Sequence, residues 1–486
     1  MKLTPSFSDT LLNSRWLLPL VVIVALGAGW LAGKVGALVP GLFLAVPILV
    51  FFLVLIFRSP RAGVIVYISY CFPLAYLARH VEVPVGLVTE SVLVTTWLAV
   101  VFYLTSPPDW RRIRNDLCLL TLGWFAVNIL EGANLSSASF IGWFYDMRTG
   151  AFLWLLTVPL GFLVFNQKRD LNVFLYIIIG FSVLGALYGI KQKVIGVDSA
   201  EQRWLDEGAA HTHVLWGQLR AFSFYTEAAQ FGSSQAMIAL ICLILALGPF
   251  SWPKKLLLAS ASLLLIWGML ISGTRGALFV LVVGLFVYLA LSKRIRILLL
   301  GCVFAGIAFA GLKYTTIGNT NGNIFRMRSA LDPNDPSLQV RFENQAKLRD
   351  YLANRPFGGG GGTMGYLGQL YNKGSFLAKI PPDSYYVKIW GQYGIVGFVI
   401  WFGMMLYILG KCAGIVWRIR DPQLRQKLLA LTAGFAGILV CSYGNEIMNQ
   451  MPSAMIVYVS WVFVFLGPDL DTPPASTAEI IPVADA

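Results

Sequence analysis

Unbroken apolar runs, each about 16 to 20 residues long, recur along the whole chain, and they constrain it more than any other feature. They lie near residues 16–33, 38–57, 62–78, 85–104, 117–131, 150–165, 171–190, 233–248, 256–271, 276–291, 297–312, 387–409, 428–446 and 454–467. A run of that length covers the hydrocarbon thickness only as a helix, because in lipid each backbone polar group must be satisfied within its own segment. Transmembrane strands read instead as alternating segments of about ten residues, which excludes a membrane β-barrel. Only 13% of residues are charged, against roughly 25% in soluble domains. The expected fold is an all-α polytopic membrane protein with about 14 transmembrane helices and a large, partly helical outer loop.

Charge sets the orientation. The links "RSPR", "RRIR", "NQKRD", "PKK", "SKRIR" and "WRIRDPQLRQK", with the N-terminal tail, put about 19 of the 37 Lys and Arg on one face. Short links of the other face hold about four: Lys34, Arg79, Arg148 and Arg275. The positive-inside rule then makes both termini cytoplasmic and puts two long segments on the outer side. The N-terminal "MKLTPSFSDTLLNSRW" precedes the first run with no small-residue cleavage site, and reads as the lead of an uncleaved span. The parts expected are N-terminal spans at 1–190, a first outer loop at 191–232, and spans with a tight turn at 233–312. A large outer loop at 313–386, C-terminal spans at 387–467 and a disordered cytoplasmic tail at 468–486 follow. All six cysteines sit in spans or at the cytoplasmic edge, so no disulfide framework is implied.

The outer segments carry the chemistry. Arg220, Arg341 and Arg349 lie in them, and Arg148 ("WFYDMRTG") and Arg275 ("SGTRGALF") stand at outer span ends. Each alone reads as an interfacial arginine that snorkels; together they fit an anion, because guanidinium forks match phosphate oxygens bidentately. In "LRAFSFYTEAAQFG", Arg220 and Glu227 share a face if the stretch is helical, as a site pair or an ordinary ion pair. Residues 340–353 suit a helix with Arg341, Gln345, Leu348 and Leu352 on one face, ended by Asn354-Arg355-Pro356.

Then comes "PFGGGGGTMGY", five glycines from Gly358 to Gly362. Such a run reads as a spacer, as a tight turn, or as bare backbone about Gly360 that a ligand approaches and whose amides cup an anion. It is no nucleotide loop, because no Lys-Ser/Thr follows, and no nucleic-acid partner is expected. Asp383, before "YYVKIWGQYGIVGF", is either a general base or the cap of the next span's helix. An ionised carboxylate near arginines has low basicity. The "HTH" at His211–His213 has the spacing of a metal pair on a strand, and either histidine is also an alternative base. Nothing in the sequence completes a metal site, and no cofactor is expected. Glu90 reads as a polar packing or proton-coupling residue; Glu446 and Asn449 ("YGNEIMNQMPS") read as acceptor-side or merely solvated.

The ordered set "RAFSFY", "SGTRGA", "RPFGGGGGTMG" and "DSYYVKIWGQYGIVGF" resembles the O-antigen ligase and O-antigen polymerase superfamily of envelope glycosyltransferases, over roughly residues 215 to 467. "SGTRGA" is close to that family's Ser-x-Ser-Arg-Gly-Ala signature. The resemblance implies an all-helical enzyme of the bacterial inner membrane, its large loop periplasmic, that moves a glycan from an undecaprenyl diphosphate donor to another glycan or lipid A core, without a metal, among polysaccharide assembly proteins. It further implies that arginines hold the diphosphate and that a loop side chain deprotonates the acceptor. Ligases usually carry His-Asn where this chain has Asp383-Ser384, a departure more usual among polymerases and exopolysaccharide enzymes. A lipid-linked polysaccharide flippase is the alternative; transporters of that kind show midplane charges and paired repeats, whereas the informative residues here lie in outer loops.

Overall fold

A computed structural model describes residues 38–102, 107–134, 136, 139–215, 217–293, 306, 307, 310, 311, 313–316, 328 and 336–471. The expected spans at 16–33 and most of 297–312, Cys302 and the tail beyond 471 fall outside these residues.

Each apolar run within them is a helix or part of one. In chain order these are α1 (Leu38–Arg58), α2 (Pro60–Tyr70), α3 (Leu74–His80), α4 (Gly86–Val101) and α5 (Asp116–Glu131), then α6 (Phe140–Val164), α7 (Lys168–Val194), α8 (Ala228–Ala246), α9 (Trp252–Ile271) and α10 (Ala277–Leu291). After two loop helices, α11 (Pro336–Leu352) and α12 (Gly365–Tyr371), come α13 (Tyr385–Arg418), α14 (Pro422–Cys441), α15 (Ser453–Phe465) and a final turn, α16 (Gly467–Asp471). Seven of the described helices are long and apolar enough to cross a membrane, eight if α2 and α3 form one span bent by 61° near Pro73. The part of α1 from Pro47, α4, α10 and α15 are shorter apolar helices.

Burial orders the bundle. Helices α8 and α15 are apolar almost all round and lie inside, whereas α9 shows most of its surface. Two glutamines of α8 tie it to its neighbours: Gln230 donates to the Met451 carbonyl, and Gln235 donates to the Ser182 carbonyl at 3.2 Å.

Helix ends gather at two poles. At one, Arg61 pairs with Asp170 (3.1 Å), Lys168 with Asp421 (2.6 Å) and Lys411 with Asp116 (2.6 Å). The expected tail starts there as an ordered turn, because Asp471 accepts from the Arg420 and Asp421 N–H groups, each at 2.8 Å. At the other pole lie the 195–227 loop, the 272–276 turn, the 336–384 loop and the 442–452 loop, in the alternation read from the sequence.

Candidate functional site

The glycine run owes its composition to a broken helix. Within α13, Gly394 (φ 65°, ψ −168°) interrupts the helical path, which frees backbone groups. The run supplies their partners: Gly359 N–H donates to Gly391 O and Gly360 N–H to Gln392 O, both at 2.9 Å, while Val396 N–H donates to Pro356 O at 3.2 Å. To lie that close the strap turns through positive φ at Gly358 (78°), Gly360 (90°) and Gly362 (71°). A Cβ on Gly358 would stand 2.3 Å from Gly394 N, and one on Gly362 2.2 Å from the Gly142 carbonyl carbon. Residues 358–364 are buried. The run is therefore neither a spacer nor an open anion cup: the amides of Gly359 and Gly360 are already spent, and Gly360 acts by holding the break.

Beside the strap is a buried charged cluster. Lys388 Nζ lies 3.2 Å from Glu446 Oε2 and 3.5 Å from Asp146 Oδ1. The Tyr393 hydroxyl donates to Asn128 Oδ1 at 2.7 Å and reaches Asp146 Oδ2 at 3.5 Å. With its amide turned to face Asp146 Oδ2 (3.2 Å), Gln392 accepts from the Gly362 N–H at 3.0 Å. Sequence reasoning missed Lys388, Asp146, Gln392 and Tyr393. The signal for the first was present: a lysine in the first turn of an apolar span is costly unless paired.

Asp383 stands at the entry to α13 with φ 46°, a left-handed conformation that non-glycine residues seldom adopt. The helix cap is its neighbour: Ser384 Oγ accepts from the Val387 N–H at 3.4 Å. That removes capping as the reason for Asp383. Arg341, Asn344 and Gln345 of α11 line a narrow cleft of about 30 Å³ with Asp383 and Tyr443. Leu348 and Leu352, on the same helix face, anchor α11 on Met364, Leu377, Ile380 and Val387. Burial pushes the Asp383 carboxyl above the usual range, and the Arg341 guanidinium only opposes this. Its basicity is thus greater than proximity to arginine alone implies.

Arg220 joins the same pole. Its Nε donates to Ser272 O (3.0 Å), Nη1 to Thr212 O (2.9 Å) and Nη2 to Thr274 Oγ1 (3.3 Å), which ties it to the "SGTRGA" turn. The turn carries half-buried Arg275, and Gly276 packs so closely on Asn445 that a Cβ would lie 2.6 Å from its Nδ2. Residues 220–222 are irregular and 223–227 turn and bend, so the condition for Arg220 and Glu227 to share a helix face is not met. Burial raises the Glu227 carboxyl; the Gln450 amide and Arg220 act against this, the Glu446 and Asp383 carboxylates with it. Glu227 thus feels Arg220, Glu446 and Asp383 at once, and Asp383 in turn feels Arg341.

Other candidates stand apart. Arg148 opens a π-helical turn and pairs with Glu90 at 2.6 Å, both mostly buried, so Glu90 is a packing partner. Arg349 projects from the solvent side of α11, three-quarters exposed, beside Asp350 at 3.5 Å. His211–His213 belong to a helical turn and not a strand. His213 is buried with its pKa lowered to about 4, chiefly by that burial; its Nδ1 lies 2.9 Å from Ala209 O and its Nε2 accepts from the Ala228 N–H at 3.2 Å. It holds the start of α8 as a neutral ring with both nitrogens engaged.

Such an arrangement defines a multi-pass helical membrane protein with arginines and carboxylates gathered among the loops at one pole. Residues 259–402 match the family described as O-Antigen ligase, which supports the O-antigen ligase superfamily read from the motifs. That stretch holds the "SGTRGA" turn, α11, the strap, Asp383 and the broken start of α13, while Arg148 and Arg220 precede it. No curated protein matches the chain.

Proposed function

We propose that the chain is a membrane glycosyltransferase that transfers or polymerises an undecaprenyl-diphosphate-linked glycan at the periplasmic face of the bacterial inner membrane. One observation carries this reading: Arg220 with the "SGTRGA" turn, and Arg341 with Asp383, come from distant segments to the same pole. Arg220, Arg275 and Arg341 serve the donor diphosphate, whose charge grows as the bond to the sugar anomeric carbon breaks. Asp383 takes the proton from the acceptor hydroxyl, whose oxygen forms the new bond to that carbon, and undecaprenyl diphosphate departs as the anion. Glu446 lies on the acceptor side.

The test is transfer by the full chain in proteoliposomes loaded with lipid-diphosphate-linked glycan. Asp383→Asn keeps the shape of the side chain and removes the base, so product formation should fall by at least about a hundredfold. Wild-type product from Asp383→Asn would remove Asp383 from the mechanism.

A further inference from the structure

At the pole opposite the candidate site, Arg58, Arg61 and Arg112 line a cavity of about 530 Å³ between the ends of α1, α4 and α6, walled on its apolar side by Val100 and Leu163. A second cavity, of about 220 Å³, shares Arg61, adds Arg169, and runs along Ile65, Ile68 and Ile177. Arg61 thus stands between an arginine-rich space and a largely apolar one between α2 and α7.

The carboxylates of these two spaces are already engaged. Asp109 accepts from the Arg111 N–H at 3.1 Å, and Asp170 accepts from the Asn166 and Gln167 N–H groups, each at 3.1 Å, besides pairing with Arg61. Arg61 is held further by Asn166 Oδ1 at 2.9 Å, and Arg112 Nη2 donates to Phe165 O at 2.8 Å, so both guanidiniums are fixed in place. Arg58 is exposed at the end of α1. Four arginines against two engaged carboxylates leave a positive excess where lipid headgroups meet the bundle. A guanidinium fork suits a phosphate, and the apolar space suits acyl chain.

We propose that these two cavities, which share Arg61, bind one anionic phospholipid, its phosphate at Arg58, Arg61 and Arg112 and an acyl chain along Ile65, Ile68 and Ile177. The site is separate from the transferase reading and stands if that reading fails.

Native mass spectrometry of the full chain in detergent, titrated with phosphatidylglycerol or phosphatidylcholine, tests it. Phosphatidylglycerol adducts should exceed phosphatidylcholine adducts severalfold. Arg58→Ala should weaken them about fivefold, because one interfacial arginine contributes roughly that factor. Lys254→Ala, which removes an exposed cation at the start of α9, should leave them unchanged. Arg112→Ala should lower retention further; because it also loses a backbone contact, the exposed Arg58→Glu provides the independent check and should nearly abolish the preference. Equal binding of the two lipids, no effect of either Arg58 variant, or an equal loss with Lys254→Ala overturns the proposal. Displacement of phosphatidylglycerol by millimolar inorganic phosphate would make it a site for free anions and overturn the lipid assignment.

Discussion

Lys388 stands between Glu446 and Asp146, its ammonium 3.2 Å from one carboxylate and 3.5 Å from the other, and so ties the start of α13 to the 442–452 loop and to α6. Both carboxylates and the lysine are largely withdrawn from water, so the ion must stay paired. Lys388→Met leaves two carboxylates facing each other and should cost about 3–5 kcal/mol. Thermal unfolding in detergent measures it. Adding Glu446→Gln to Lys388→Met should recover part of the loss, and an unchanged midpoint for the single variant would show that the cluster does not hold the fold.

The strap makes a second forecast. Gly358 needs φ 78° and has Gly394 N where its Cβ would go, at 2.3 Å, whereas a Cβ on Gly374 meets nothing within 4 Å. Gly358→Ala should therefore destabilise by more than about 1 kcal/mol and lower the folded yield, while Gly374→Ala should be nearly silent. Gly360→Val should act in the same way as Gly358→Ala, because Gly360 also sits at positive φ and spends its N–H on Gln392 O. Fluorescence-detected size exclusion decides it, and equal yields from Gly358→Ala and Gly374→Ala would return the run to a spacer.

Arginines that look alike in the sequence should separate in function. Arg220 uses three nitrogens on Ser272, Thr212 and Thr274, an arrangement that a lysine cannot reproduce, whereas Arg349 lies in solvent beside Asp350. Transfer should fall about tenfold or more in Arg220→Ala and in Arg220→Lys, since hydrogen bonds to a charged group contribute about 1.5–3 kcal/mol. Arg349→Ala should stay within a factor of about two. Glycan transfer at matched protein amount checks both, and a fully active Arg220→Lys would leave charge alone as the requirement.

Particular residues show what the sequence made legible. Apolar run length located every described span, because the bilayer thickness imposes it, and the face of α11 was readable because Leu348 and Leu352 recur at helical spacing and are buried. The purpose of the glycine run was not legible, because it lies in another segment: Gly394 breaks α13 well downstream, and the strap satisfies that break. Lys388 left a signal in its place at the start of an apolar span, but its partner was not legible, since Asp146 is distant along the chain. The direction of Arg349 was not legible, because composition records charge and not direction; the residue before it, Leu348, is fully buried, while Arg349 points to solvent.

The last prediction follows Asp383 through pH. Burial raises its carboxyl above the ordinary 3.8, and Arg341 holds it partly down. A base works only when deprotonated, so transfer should fall as the medium is acidified through this raised value, at higher pH than for a solvated aspartate. Removing the opposing cation should raise the pKa further. Arg341→Gln should thus shift the acid limb of the transfer rate to higher pH, besides lowering the plateau through weaker donor binding, whereas Arg220→Ala should lower the plateau and move the limb less. The measurement is the rate across about pH 4 to 8 at saturating donor, with Asp383→Asn as the baseline. A limb that stays in place or moves to lower pH in Arg341→Gln would show that Asp383 does not set the pH dependence, and Glu227, whose carboxyl is also raised by burial and has Gln450 at 3.3 Å, would become the next residue to substitute.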